Sequence, residues 1–317
     1  MTSGRAGDEL EPWRTHGRAR RLGYRLLPGD AFSYVLHLRP REWPIMAAHT
    51  LVGAVLALGA PAVLRGERLG AIAGALVVWV LFLNGGTLAI NSAFDRDVGD
   101  VGYLDAPPPP PRRLAAFSVV LMGAGQLLAL LLPAGFAVAY AICFALSLLY
   151  SVPPVRLKAV GGADWAINMV GFGTLTPYAG WAATGTPVTP AGTWVLWAFC
   201  PLFAALYPLT QLYQVDEDRA RGDRTLALVI GLRASLGVAL GATLVAFAFF
   251  AHAGRTAGLG AVGWGALAVA LATWLAVLVP WAARAERMSA AAHKRGMYLA
   301  LAAWAVTDIA AIVAFAG

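Results

Sequence analysis

The 317-residue chain is 59% hydrophobic and only 13% charged, whereas soluble domains carry about 25% charged residues. So few charges cannot cover a soluble globule of this length, and the formal charge of +7 is distributed for membrane topology rather than for nucleic acid. The two cysteines, Cys143 and Cys200, lie inside apolar runs and define neither a disulfide framework nor a metal site.

In chain order, residues 1–40 come first. They hold Arg5, Arg14, Arg18, Arg20, Arg21, Arg25 and Arg39 without the apolar core of a signal peptide. This segment is expected to be a basic cytoplasmic tail, flexible to about Arg25. Residues 41–317 then form one helical transmembrane domain. Its apolar segments are 43–64, 69–90, 114–132, 135–149, 165–183, 193–212, 236–251, 259–282 and 296–315. A bilayer core needs roughly 20 apolar residues per helix. The expected fold is therefore an all-α membrane protein of nine transmembrane helices.

Charge placement tests that count. With the N-terminus in the cytoplasm, nine spans put all but three of the 24 Lys and Arg residues on the cytoplasmic side. The three exceptions are Arg65, Arg68 and Arg255. A wrong span count would scramble this separation, because basic residues favour cytoplasmic loops. The expected location is the cell (inner) membrane, with the C-terminus on the opposite side.

Acids follow a different logic, since Asp and Glu contribute little to topology. Asp95, Asp97, Asp100 and Asp105 follow the second segment; Asp216, Glu217, Asp218 and Asp223 follow the sixth. Both loops read Asp-Arg-x-x-Gly-Asp, from Asp95 and from Asp218, which suggests two related half-sites. In the first loop Asn91 and Asp95 lie one helical turn apart on one face. An amide oxygen and a carboxylate so placed suit Mg²⁺, which typically takes one or two carboxylates together with water and substrate phosphates. In the second loop Gln214 and Asp218 repeat that spacing, and the interleaved Arg219, Arg221 and Arg224 suit a polyanion such as a diphosphate.

After the fourth segment comes Tyr150-Ser-Val-Pro153-Pro154-Val-Arg156-Leu-Lys158. The proline pair is expected to stiffen the helix exit into an extended segment. Arg156 and Lys158, two residues apart, would then point the same way as a phosphate clamp.

Together these three loops resemble those of the UbiA superfamily of intramembrane prenyltransferases. The resemblance runs from about Trp43 to the C-terminus. It implies a bundle around a central cavity, two acidic motifs that hold Mg²⁺ and a prenyl diphosphate, and an allylic carbocation captured by a lipophilic acceptor, aromatic by expectation. Carried over residue by residue, the metal set is Asn91, Asp95, Asp100, Gln214, Glu217 and Asp218. The diphosphate set is Arg96, Tyr150, Arg156, Lys158, Arg219 and Arg224. Asp95, Asp218, Arg156 and Lys158 are the expected catalytic core. The expected partners are a prenyl diphosphate, its acceptor and the lipid bilayer, with no nucleic acid.

Two departures stand out. The family's first motif reads Asn-Asp-x-x-Asp-x-x-x-Asp, but here Ser92 and Gly99 occupy acidic positions, and Asp100 comes one place late. A helix ending at Gly99 would let Asp100 reach the site. In the second motif Gln214 replaces an aspartate, giving an oxygen ligand without charge. Such changes keep two other readings open: a terpene cyclase that needs no acceptor, and a non-catalytic relative. Within the spans, polar residues are costly. Asn84 and Asn168 either face a cavity or join helices. Asp308 either pairs with a buried partner such as His49 or lines the cavity. His37, His49 and His293 lack metal-ligand spacing.

Overall fold

The computed structural model describes residues 16–27, 29–95, 101–102, 104–215, 218–219, 222 and 224–317. Each of the nine apolar segments is mostly helical, with a break at Gly59 and non-helical ends at residues 130–132, 212 and 259–260. The elements are α1 (Arg18–Leu26), α2 (Ala31–His37), α3 (Trp43–Leu58), α4 (Ala60–Leu64), α5 (Leu69–Asp95), α6 (Leu114–Ala129) and α7 (Ala134–Ser151). Then follow α8 (163–183), α9 (Pro190–Gln211), α10 (Leu226–Ala257), α11 (Ala261–Arg284) and α12 (Ala290–Phe315). Among the described residues six helices are long and apolar enough to cross a membrane: α5, α7, α9, α10, α11 and α12. Helices α3 and α6 are apolar but shorter. Helix α8 is assembled from three consecutive helical segments.

Two helices lie within residues 1–40, and α1 falls largely in the stretch that the sequence reads as flexible. Helix α2 packs Tyr34 edge-on against Phe117 at 5.0 Å, and from α1 Arg20 donates to the carbonyls of Ala106 (2.7 Å) and Asp105 (2.8 Å). Tyr24 shares a hydrogen bond with Ser33. The carbonyl partners lie more than 80 residues away, so local sequence carries no sign of them.

The core divides in two. One apolar cluster joins α5, α6, α7 and α8, with Trp79, Phe136 and Tyr140 at its centre. The other joins α9 to α12 with part of α3, around Phe199, Phe250 and Trp274. Helices α3 and α8 bridge the halves at a very close crossing. A Cβ on Gly53 would sit 1.7 Å from the carbonyl oxygen of Pro177, and one on Gly180 equally close to that of Thr50. Only glycine permits this approach, which is how small residues bring membrane helices together. A cavity remains between the two clusters, and the crossing fixes the helices that wall it.

Both α5 and α8 loosen into π-helix where they meet the cavity, at Val77–Asn84 and Met169–Leu175. Such wide turns recur at functional sites because they redirect side chains. Here they present Trp79, Leu83, Asn84, Gly171 and Phe172 to the cavity.

Candidate active site

The cavity has a volume of about 320 Å³, within the usual range for ligand pockets of roughly 300–1,000 Å³. Its walls are aromatic and apolar, including Trp79, Phe172, Phe203, Leu206, Tyr207 and Trp304. Phe172 and Phe203 stack at 5.4 Å, and Phe203 meets Trp304 edge-on at 5.7 Å. Polar groups also reach the cavity: Arg39 and Glu42 from the turn between α2 and α3, His49 from α3, Asn91 from α5, Asn168 from α8 and Thr210 from α9.

The polar end is built by α5 and the loop after α7. Asn91 and Asp95 share one face of α5, as their spacing requires. Lys158 Nζ donates to Asn91 Oδ1 (3.2 Å) and also to Asp95 Oδ2. Arg156 donates to Asp95 Oδ1 at 3.2 Å. The Asp95 side chain is almost fully buried by these two cations, at 4% exposure. Expected clamp residues and expected metal ligands are therefore in direct contact.

The local backbone differs from the expectation of an extended segment. The Pro153–Pro154 peptide is cis, Arg156 adopts a left-handed conformation at φ 34°, and Leu157–Ala159 is a 3-10 turn. The two cations converge because this turn wraps them around Asp95, not because alternate residues of a strand share a face. A pair of prolines constrains its own φ angles but leaves the later residues to tertiary contacts.

Tyr150 connects this cluster to α9. Its hydroxyl lies 3.0 Å from that of Tyr207 on α9, and it sits within electrostatic reach of both Asp95 and Asp164. Past the end of α9, the backbone carbonyl of Gln214 accepts from the Asp218 amide at 2.9 Å, and Thr225 donates to Asp218 Oδ2 at 3.4 Å. Asp218 is buried at 4% exposure. Arg219 and Arg224 are exposed. Arg96, Asp100 and Glu217, together with Asp97, Gly99, Asp216, Arg221 and Asp223, lie outside the described residues. Among the described residues no three His, Cys, Asp or Glu side chains cluster. A metal here would draw on the amide oxygens of Asn91 and Gln214 beside Asp95 and Asp218.

Some contributing residues escaped the sequence reading. Asp164 opens α8, is wholly buried, and accepts from Gln211 Nε2 (2.9 Å), the Leu226 amide (3.3 Å) and the Gly162 amide (2.9 Å). It ties the ends of α8, α9 and α10 beneath the second acidic loop. The available signal was an acid just after a glycine pair and before an apolar run, the place where a carboxylate suits a helix N-terminus. Arg39, which donates to Ser92 Oγ at 3.2 Å, gave no such signal. It holds the hydroxyl at the position where the resemblance expects an acid. Glu42, half-buried just ahead of α3, lines the cavity. That burial pushes its carboxyl up to about 7, against the opposing pull of Arg39. Asn84 and Asn168 both line the cavity, and Asp308 does pair with His49.

An apolar, lipid-sized cavity beneath a carboxylate–cation cluster, inside a bundle of membrane-length helices, defines a multi-pass membrane enzyme for amphiphilic substrates. Residues 46–302 match the UbiA prenyltransferase family, and the chain belongs to that family; it is a prenyltransferase. A lycopene elongase/hydratase of Halobacterium salinarum is 32% identical over 228 residues, covering 69% of this chain and 79% of that protein. A digeranylgeranylglyceryl phosphate synthase of Natronomonas pharaonis is 33% identical over 214 residues, covering 66% and 73%. The structure of a UbiA homolog from Archaeoglobus fulgidus bound to GPP and Mg²⁺ superposes with a TM-score of 0.65 at 19% identity. It covers 86% of this chain and 99% of that one.

Proposed function

We propose that the protein transfers a prenyl group from a Mg²⁺-bound prenyl diphosphate to an uncharged lipophilic acceptor at the cytoplasmic face of the cell membrane. The observation that carries this reading is the Asn91–Asp95–Arg156–Lys158 cluster at the rim of an aromatic cavity. The oxygens of Asn91 and Asp95 already close on a single cationic atom, Lys158 Nζ, so this face fits a metal ion. Asn91, Asp95, Gln214 and Asp218 would hold Mg²⁺, with Asp100 and Glu217 assigned from sequence. When bound, Mg²⁺ neutralises the charge that builds on the departing diphosphate.

The chain's own groups do the rest. Arg156 and Lys158 donate to the diphosphate oxygens once these displace Asp95, with Tyr150 beside them and Arg96, Arg219 and Arg224 as outer cations. Charge-assisted donors of this kind gain strength as the leaving group becomes more negative. Aromatic walls face the allylic cation and keep water away from it.

The acceptor follows from the lining. Among the described residues that line the cavity the only Lys or Arg is Arg39, already engaged by Ser92 and, at 3.5 Å, by the Gly102 carbonyl. An anionic acceptor would find that one cation and no second one among these lining residues. A polyene of the lycopene type, named for one relative, needs none, and it is preferred over the aromatic acceptor expected from sequence. Only the reacting end of so long a molecule fits in 320 Å³.

The test uses the full chain in proteoliposomes with GPP and, in turn, lycopene, a glyceryl phosphate lipid and a phenol. Elongated lycopene, lost on addition of chelator, is the expected product. Prenylation of the phosphate lipid or the phenol alone overturns the acceptor assignment. Hydrocarbon or alcohol formed equally well without acceptor selects the cyclase reading. Arg156→Ala is expected to weaken GPP binding by roughly tenfold to a hundredfold, the worth of a charged hydrogen bond of about 1.5–3 kcal/mol. Titration of GPP with Mg²⁺ by isothermal calorimetry checks this.

A further inference from the structure

His49 lies on α3 ten residues before Gly59, about 15 Å from the far end of the helix at 1.5 Å per residue. It is therefore deep in the bundle and on a different helix from either acidic motif. Its Nδ1 is 3.1 Å from Asp308 Oδ1 on α12. Exposures of 5% and 9% make both side chains buried. Phe199 and Trp304 hold the imidazole edge-on, each with its ring centre 4.9 Å away. His49 lines the cavity, yet its Nε2 is buried without a hydrogen-bond partner.

A His–Asp pair within a membrane bundle is costly and calls for a reason. Buried polar atoms usually have partners; at His49 only Nδ1 has one, and among the cavity-lining groups Nε2 shares that lack with Arg39 Nε and the Asn84 amide. The Asp308 carboxylate holds the proton on Nδ1, which leaves the Nε2 lone pair free. The tautomer follows from this pairing, not from a seen hydrogen.

We infer that His49 is the general base that ends the reaction, with Asp308 as its positioning residue. The inference rests on the transfer reaction proposed above. In that reaction the allylic C–O bond breaks and its electron pair leaves with the diphosphate. The acceptor's π pair forms the new C–C bond, which leaves a tertiary carbocation on the acceptor. Nε2 then takes a proton from the neighbouring carbon. The C–H pair becomes the new double bond, an N–H bond forms, and Asp308 balances the imidazolium. If water captures the cation first, the same nitrogen takes the proton of that water, and the product is an alcohol. Glu42 is the other ionisable cavity residue that could act as base. It lies two turns earlier on the same helix face, beside Arg39 at the rim, where the diphosphate belongs.

The first arm of the test is independent of the acceptor. With diphosphate and Mg²⁺ present, N,N-dimethylgeranylammonium can donate its N–H to Nε2, whereas the trimethyl quaternary analogue cannot. Wild type is expected to bind the tertiary amine at least about tenfold tighter, the worth of a charged hydrogen bond. His49→Phe should lose that preference while its affinity for GPP with Mg²⁺ stays within about twofold. Equal binding of the two amines by wild type overturns the inference. The second arm follows elongation of lycopene. His49→Ala is expected to lower kcat by roughly 10² to 10⁴-fold, with little change in KM for GPP, and added imidazole should restore at least a tenth of the loss. Asp308→Asn should lose activity to a lesser degree, and product mass distinguishes alkene from alcohol. Should His49→Ala fail to fold, His49→Gln takes its place. Near-wild-type turnover, a defect that imidazole leaves unrepaired, or an equal dependence on Glu42→Gln each overturns His49 as base. If wild type does not elongate lycopene at all, the acceptor reading fails, and the amine comparison alone decides the role of His49.

Discussion

Asp95→Ala is expected to abolish prenyl transfer, lowering diphosphate release by a factor on the order of 10³ or more. Removal of a single preorganised charge-stabilising group typically costs about 10²–10³, and Asp95 has two tasks. It offers a carboxylate for the metal on the same face as Asn91. It also gathers Arg156 and Lys158, both bonded to it, so that they stand together where the diphosphate arrives. Asp95→Asn keeps the shape but not the charge and should be nearly as inactive. Release of diphosphate from GPP in proteoliposomes is the measurement. Full activity in either variant would sink the metal and clamp assignments together. Asp218→Ala should show a comparable loss by the same assay.

The second large effect concerns folding. Asp164→Ala removes an acceptor shared by Gln211 Nε2, the Leu226 amide and the Gly162 amide. A buried donor left without a partner costs about 1–3 kcal/mol, so the total is on the order of 3 kcal/mol or more. That is a large share of a typical stability of about 5–15 kcal/mol. Gln211 in turn accepts from the Ala227 amide at 3.0 Å, so its release would also loosen the start of α10. The buried thiols of Cys143 and Cys200 supply the readout. A thiol-reactive dye should label Asp164→Ala at a clearly lower temperature than wild type in the same detergent. An unchanged midpoint would show that Asp164 does not hold the three helices together.

Composition and charge distribution were enough to place this chain in the membrane, because a bilayer imposes length and apolarity on each helix separately. Those are one-dimensional constraints, and each of the nine apolar segments is mostly helical in the structure. The Asn91–Asp95 pairing was legible for the same reason: a helix puts residues four apart on one face. The loops also carried their chemistry on the surface of the sequence, in residue types and spacing. What spacing could not give was the direction in which a loop turns. Arg156 and Lys158 reach Asp95 through a left-handed residue and a 3-10 turn, not through an extended strand.

Contacts between distant segments belong to the tertiary structure alone. Nothing near Asp164 in sequence names Gln211 or Leu226 as partners, and nothing near Arg20 names the carbonyls of Asp105 and Ala106. The π-helical turns of α5 and α8 and the glycine crossing of α3 with α8 exist because helices far apart in sequence must pack around a cavity. The basic residues from which the sequence predicts topology were readable one by one, since each acts on its own with a membrane. The pairing of His49 with Asp308 was one of two sequence possibilities, and only packing chose it. A buried charge needs a partner, and which partner it finds depends on how the helices are arranged in space.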